Sequence, residues 1–473
     1  MMKSNNWSVW LLTAFVVGNM VGSGIFMLPN TLAQTASPIG VTAAWAVTGF
    51  GVLMIALVFG SLAIRKPELT AGPQSYARAL FSNPKAGNVA GFSMVWGYWV
   101  ANWISNVAII TSFAGYLSTF FPMMRSSKVI GTVLNQDIQL GKFITFAVCT
   151  ILLWFTHFIL IKSMNGAGKL NFVATASKVI GFMLFIVAAL FAVESTIFAD
   201  AYFPIVDNEG TSHGLGSQIN MAAIATLWAF VGIESAVVLS GRASSQRDVK
   251  KATIVGLLIA LSIYMITTLL TMNVLQREVL MSSDKPFVDV LSVLIGNTGA
   301  SLMGLLAVIS LFGSTIGWIL LSSEVPYQAA KSGVFPAIFA KVNKNGSPVN
   351  ALAVTNIMSQ IFIFSTISGT IGEAYTFLTT SATLAYLIPY LISSIYFLKL
   401  VYSGETYNEI KGSRVRDGVI ALLAFIYSSW VIISGTSDAK TFTLGIGLFF
   451  LGFLVYPVFN RFTPKNSKNR KVA

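Results

Sequence analysis

The chain has 473 residues, of which 55% are hydrophobic and only 10% charged, and its mean hydropathy is +0.74. Soluble domains carry about 25% charged residues, so this composition excludes a soluble globular protein and indicates repeated crossing of a bilayer. The net charge of +13 would suggest nucleic acid for a soluble protein; here it matters through which loops carry the lysines and arginines.

The amino-terminal Met1 to Asn6 holds one lysine and leads into an apolar run without a small-residue cleavage site, so it reads as a retained first helix rather than a signal peptide. With about 20 apolar residues per crossing, the sequence predicts twelve spans. They lie near 9–33, 39–63, 91–120, 142–162, 170–193, 218–241, 252–275, 299–322, 349–370, 374–398, 417–435 and 441–460. A short amphipathic piece, Phe287 to Ile295, precedes the eighth span and suits the interface. The loop from Phe198 to Gln218 is too short to fold alone. No linker or second soluble domain is visible, and the chain is read as one transmembrane domain.

The first span contains Gly18-Asn19-Met20-Val21-Gly22-Ser23-Gly24-Ile25-Phe26. Glycine is a poor helix former and opens the backbone, so a break at membrane depth is expected, tolerated only where it faces protein or a cavity. The sixth span repeats the signal in Thr226-Leu227-Trp228-Ala229-Phe230-Val231-Gly232-Ile233-Glu234-Ser235-Ala236. Each break is a candidate half of one substrate site.

If the amino terminus is cytoplasmic, 23 of the 30 basic residues fall on the inside, six on the outside, and Lys178 within span five. That asymmetry follows the positive-inside rule and places both termini in the cytoplasm. The basic tail from Arg461 to Lys471 reads as topogenic charge beside the last span.

Charges within spans are functional candidates because hydrocarbon does not solvate them. Glu234 is either a proton-handling carboxylate or a buried group satisfied by tyrosines and backbone. Lys178 either snorkels to the interface or acts as a fixed cation bracing carbonyls exposed by a broken helix. Tryptophans in membrane proteins are mostly interfacial, but Trp318 lies at mid-span among small residues and fits a pocket; for Trp228, pocket and packing are evenly balanced. Asn102, Ser105 and Asn106 in span three, and Thr379 to Thr383 in span ten, are pocket groups or helix-to-helix glue. His157 and His213 are isolated, Cys149 is the only cysteine, and neither a metal-ligand spacing nor a phosphate loop occurs. No catalytic residue, metal or cofactor is expected, which disfavours a membrane enzyme and an ATP-driven pump.

Two broken helices five spans apart suit an inverted repeat, and here the chain resembles the amino acid-polyamine-organocation superfamily. Within it, the chain is similar to the basic amino acid/polyamine antiporters. The resemblance is carried by Gly22-Ser23-Gly24-Ile25-Phe26 with Leu28-Pro29, Arg65-Lys66-Pro67-Glu68-Leu69, Trp96-Gly97-Tyr98-Trp99 with Asn102 to Asn106, Leu227 to Ser235, and Gly333-Val334-Phe335-Pro336. It implies an all-α LeuT-type fold with five-plus-five repeats over about 9–193 and 218–398, two extra helices over about 417–460, and mid-membrane breaks in helices one and six.

The resemblance also implies roles. Ser23 and Gly24 would bind the substrate carboxylate, and carbonyls near Asn19, Met20, Phe230 and Val231 the α-ammonium. Trp318 would shelter the aliphatic stem, while Trp228 and Asn106 approach the distal group. Glu234, Tyr98 and Tyr390 would form a proton-linked gate. Lys178 matches a lysine that stands in some branches where sodium binds in others; this argues against sodium coupling and moves the reading from arginine/agmatine toward arginine/ornithine exchange.

The expected function is therefore antiport of a basic amino acid for its metabolic product in the plasma (inner) membrane. Amino acids, amines and the lipid bilayer are the partners, without nucleic acid, and a homodimer is an open option. Proton-coupled uptake, a tyrosine/tyramine-type pair and a non-transporting sensor are the competing readings.

Overall fold

The computed structural model describes residues 8–22, 24–69, 72–133, 136–162, 164–192, 202–206, 210–238, 240, 243–331, 333–368, 371–410, 412–435 and 439–462. Ser23 and the tail beyond Phe462 therefore lie outside the described residues.

The first span is two helices. Helix α1 (Val9–Met20) starts under Ser8, whose hydroxyl accepts from the Leu11 amide, and α2 (Gly24–Thr35) resumes at an angle of 48°. The next three helices, α3 (Pro38–Arg65), α4 (Pro73–Leu80) and α5 (Pro84–Leu117), each begin on a proline, which lacks the N–H that a first helical turn leaves unpaired. A hairpin of β1 (Val129–Val133) and β2 (Gln136–Gln139) leads to α6 (Leu140–Lys162) and α7 (Met164–Leu190). The loop read as too short to fold alone holds a two-residue antiparallel ladder, β3 (Ile205–Val206) with β4 (Ser212–His213).

The sixth span is α8 (Leu215–Trp228), an irregular turn, and α9 (Ser235–Val238). There follow α10 (Gln246–Val274), α11 (Arg277–Met281), α12 (Pro286–Ile295), α13 (Asn297–Lys331), α14 (Val349–Ile363), α15 (Ser365–Ser368), α16 (Ile371–Ser403), α17 (Arg414–Ser434) and α18 (Ala439–Phe462). The amphipathic piece before span eight is α12; its Phe287, Val288, Val290 and Leu291 are buried, and it packs against α7 and α13.

Among the described residues, nine helices are long and apolar enough to cross a bilayer, and α1 with α2 makes a tenth as one bent span. The other two expected crossings are α7, with the shorter apolar segment Ala176–Leu190, and the interrupted α8 and α9. Helices α1, α3, α8 and α10 pack as one group, α5, α6, α13 and α14 as another, and α16 touches α3 and α8 in the first group and α5 in the second. Helices α17 and α18 seat where glycines leave room for rings. A Cβ at Gly51 of α3 would lie 2.1 Å from the Tyr427 ring, and one at Gly97 of α5 would lie 1.9 Å from Phe449.

Trp45, Trp96, Trp99, Trp103 and Trp228 are all buried within the protein. Trp96 donates its indole N–H to Leu448 O (2.9 Å) and Trp99 to Thr355 Oγ1 (2.9 Å), whereas those of Trp45 and Trp103 meet no acceptor among the described residues.

Loops assigned to the same side meet in space. Arg65, at the end of α3, pairs with Asp417 at the start of α17 (2.9 Å, side chains 4% exposed each) and lies 3.7 Å over the Tyr407 ring. Tyr407 donates to the same carboxylate (3.0 Å), while burial and then Asp417 push its phenol up to about 12, so it stays a donor throughout the physiological range. Lys66 bonds Glu405 beside them. On the opposite side, the Asn30 amide donates to Leu280 O, Met281 O and Ser283 O at 2.8–3.0 Å, and Arg277 to Ala33 O (2.9 Å), fastening α2 to α11 and the turn after it.

Removing one partner of a buried ion pair strands the other charge, at a cost of about 3–5 kcal/mol. Asp417→Ala should therefore lower the apparent melting temperature in detergent by several degrees; an unchanged value would show that the pair contributes nothing.

Candidate functional site

The two interruptions lie against each other. Gly232, in the turn between α8 and α9, has φ +107°, which favours glycine, and a Cβ there would sit 3.2 Å from the Asn19 carbonyl carbon and 3.3 Å from the Met20 nitrogen. The dihedral calls for glycine, and the approach is tighter than a Cβ ordinarily makes. Across the same contact, Asn19 Nδ2 donates to Ser235 Oγ (2.7 Å).

Breaking a helix frees carbonyls that water cannot reach at membrane depth, so each needs an internal donor. Tyr264 of α10 supplies one to both breaks: its hydroxyl lies 2.6 Å from Met20 O and 2.7 Å from Ala229 O. One hydroxyl carries one proton, so the two carbonyls share it. The ring is fixed by stacking on Trp45 (centroids 5.4 Å, planes 8° apart) and by the edge of Phe230 (5.6 Å).

A cavity opens at this junction, lined from the breaks by Asn19, Met20, Gly22, Gly24, Trp228 and Val231, and from the facing helices by Ser105, Ile109 and Trp318. Its volume of about 20 Å³ holds roughly one water, so an amino acid requires the helices to part. Trp228 donates to Tyr375 Oη (3.1 Å), which donates in turn to Gly24 O (3.3 Å), and a Cβ at Gly24 would come within 3.1 Å of the Trp228 indole nitrogen. Gly22 stands in the same relation to Trp318, at 3.6 Å. Of the residues expected here, Phe230 turns its side chain away onto Trp45 and Tyr264, and Ser23 lies outside the described residues. Asn106 stands one residue behind the lining Ser105.

Glu234 is 1% exposed. Its carboxylate accepts from Tyr98 Oη (2.8 Å), Tyr390 Oη (2.7 Å) and the Gly232 amide (3.2 Å). Tyr98 also meets the edge of the Tyr386 ring (5.3 Å). Glu234 thus joins the second break to α5 and α16, and a change in its charge would reach both helices. Lys178 is also buried, 8% exposed, and forms no hydrogen bond or ion pair among the described residues. The hydroxyls of span ten mostly bond their own helix, as with Thr379 to Thr376 O and Thr383 to Thr379 O.

Sequence reasoning passed over Tyr264, Tyr375, Ser235 and Ile109. Tyr264 had a signal: a phenol in the middle of an apolar span, where hydrocarbon leaves its hydroxyl unpaired unless protein supplies a partner. Ser235 and Ile109 had none, because small polar and aliphatic residues occur on every helix.

The chain matches the family model described as amino acid permease over residues 8–471. It is 67% identical over 98% of its length to a Bacillus subtilis (strain 168) protein provisionally named an arginine/ornithine antiporter, of which 99% is covered. It is 36% identical over 90% of its length to the Pseudomonas aeruginosa arginine/ornithine antiporter, covering 85% of that protein. For the Latilactobacillus sakei arginine/ornithine antiporter, the figures are 32%, 90% and 85%. With its two breaks meeting at one cavity and this likeness over nearly its whole length, the chain belongs to the amino acid permease family.

Proposed function

We propose that this protein exchanges arginine for ornithine across the inner membrane by alternating access, with both termini in the cytoplasm. The observation that carries the reading is the cavity itself. The two broken helices, with the Trp228 indole, form one wall, and the Trp318 indole with Ser105 and Ile109 forms the other. Opened backbone suits an α-amino acid head group, and indole faces suit an aliphatic stem ending in a cation. The arginine/ornithine names of full-length relatives support this substrate pair.

In this reading, the α2 amino terminus at Ser23 and Gly24 receives the α-carboxylate through free N–H groups and the positive end of the helix dipole. Met20 and Val231 offer carbonyls to the α-ammonium, beside Asn19. Trp318 covers the stem, and Trp228 and Asn106 face the distal group. Glu234, with Tyr98 and Tyr390, links the second break to α5 and α16 as a gate that senses protonation. Lys178 supplies a buried, fixed positive charge in place of a coupling cation. The breaks belong to the first helices of two inverted five-helix repeats, about 9–193 and 218–398, with α17 and α18 as additions. All these groups come from one chain, so the reading requires no second copy.

Proteoliposomes loaded with ornithine should take up labelled arginine much faster than empty ones; equal rates would refute exchange. Trp318→Ala removes an indole from the cavity wall, and the loss of about 2 kcal/mol of apolar contact should weaken arginine binding roughly thirtyfold. An unchanged Kd would show that the stem lies elsewhere. Glu234→Gln cannot titrate, so exchange should persist at a lower rate that no longer varies with pH; a wild-type pH profile would remove Glu234 from the gate.

A further inference from the structure

A larger cavity, of about 570 Å³, lies away from the broken helices' junction, on the side opposite the Arg65–Asp417 pair. Ala33 of α2 and Pro38 of α3 form one part of its wall; residues 272–277, at the end of α10 and the start of α11, form another, with Val293 and Leu294 of α12. Sites for organic ligands occupy about 300–1,000 Å³ and combine apolar walls with a few polar groups. This cavity has that size and that kind of lining, and the exchange reading gives it no task.

Its cation is Arg277. Helix α10 is long enough to cross the bilayer, so a residue three positions past its end stands at the level of the lipid headgroups. Arg277 Nε donates to Ala33 O (2.9 Å), and the Phe203 ring lies 5.7 Å from the guanidinium carbon. The two Nη groups meet no acceptor and no carboxylate among the described residues, and no acidic side chain is among the described lining. A guanidinium held at Nε and open at both Nη presents the fork that fits two phosphate oxygens. Asn273, also in the lining, has its amide oxygen buried without a donor among the described residues, which a ligand hydroxyl would satisfy. The rim continues into exposed apolar surface. Val293 lines the cavity and is 65% exposed, and Leu190 and Phe191, beside the lining Ala192, are exposed as well. On a membrane protein such a surface meets acyl chains, so a ligand with a phosphate at one end and hydrocarbon at the other matches both features.

We propose that this cavity is a binding site for an anionic phospholipid of the phosphatidylglycerol type. The phosphodiester sits on the Arg277 Nη groups, a headgroup hydroxyl donates to Asn273 Oδ1, and an acyl chain leaves over Val293 into the bilayer. Because Arg277 Nε also holds Ala33 O in the last turns of α2, the bound lipid bears on the half-helix that resumes after the first break. The site stands independently of the arginine/ornithine reading.

Native mass spectrometry of the purified full chain, titrated with dioctanoyl phosphatidylglycerol, dioctanoyl phosphatidylethanolamine or glycerol 3-phosphate, reads binding without transport. The wild type should retain phosphatidylglycerol about tenfold more tightly than phosphatidylethanolamine and bind glycerol 3-phosphate far more weakly than either. Arg277→Gln should weaken phosphatidylglycerol about tenfold, the worth of one hydrogen bond to a charged group, and erase the preference; Arg277→Lys, which keeps the charge and loses the fork, should fall between. Leu294→Trp fills the cavity and leaves Arg277 in place, so it should weaken both lipids, and it gives the answer if the Arg277 variants do not fold. Equal affinity of the wild type for the two lipids, or wild-type phosphatidylglycerol binding by Arg277→Gln or Leu294→Trp, overturns the proposal. Glycerol 3-phosphate bound as tightly as phosphatidylglycerol also overturns it, since the site would then take a soluble anion.

Discussion

The arrangement depends on one proton shared between two broken helices. Helices crossing hydrocarbon satisfy their own backbone; a helix that stops midway leaves carbonyls that must find donors in protein. Here Met20 O and Ala229 O, from chain segments more than 200 residues apart in sequence, both turn to Tyr264 Oη. Asn19 with Ser235, and Gly232 against the Asn19 backbone, close the same contact. The breaks therefore support each other, and displacement of one disturbs the acceptors of the other.

The polar groups around the junction divide by charge. Glu234 is held by two phenols and a backbone amide, whereas the corner formed by Asn102, Asn106 and Ser322 is neutral. The Glu234 carboxylate lies between helices, bonded to Tyr98 of α5 and Tyr390 of α16.

Much of this was legible in the sequence because the bilayer imposes strong rules. Span length and the alternation of lysine and arginine marked twelve crossings; among the described residues nine fall on helices long and apolar enough to cross, and the first falls on the bent pair α1 and α2. The breaks were legible too, since Gly22 and Gly24 at mid-span, and Gly232 before Glu234, have no reason to sit in an uninterrupted crossing. Trp318 lines the cavity as its mid-span position suggested, but position along a span does not tell whether a side chain points to lipid or to a neighbouring helix, and Trp45, Trp99 and Trp103 point inward. Tyr264 escaped for a related reason. Its partners are carbonyls contributed by other helices, and no pattern along one segment encodes them.

The notches at Gly51 and Gly97 bear on how the molecule could be shortened. An aromatic ring from α17 fills one and a ring from α18 the other, on helices of both packing groups. Truncation after α16 would leave two ring-sized clefts along α3 and α5, which flexible acyl chains would fill poorly. The Arg65 guanidinium would also lose its counter-ion. A ten-helix fragment holding both breaks and every cavity residue would thus be a poorer transporter than its intact site suggests, because the frame that resists the moving helices would have been cut away with the last two.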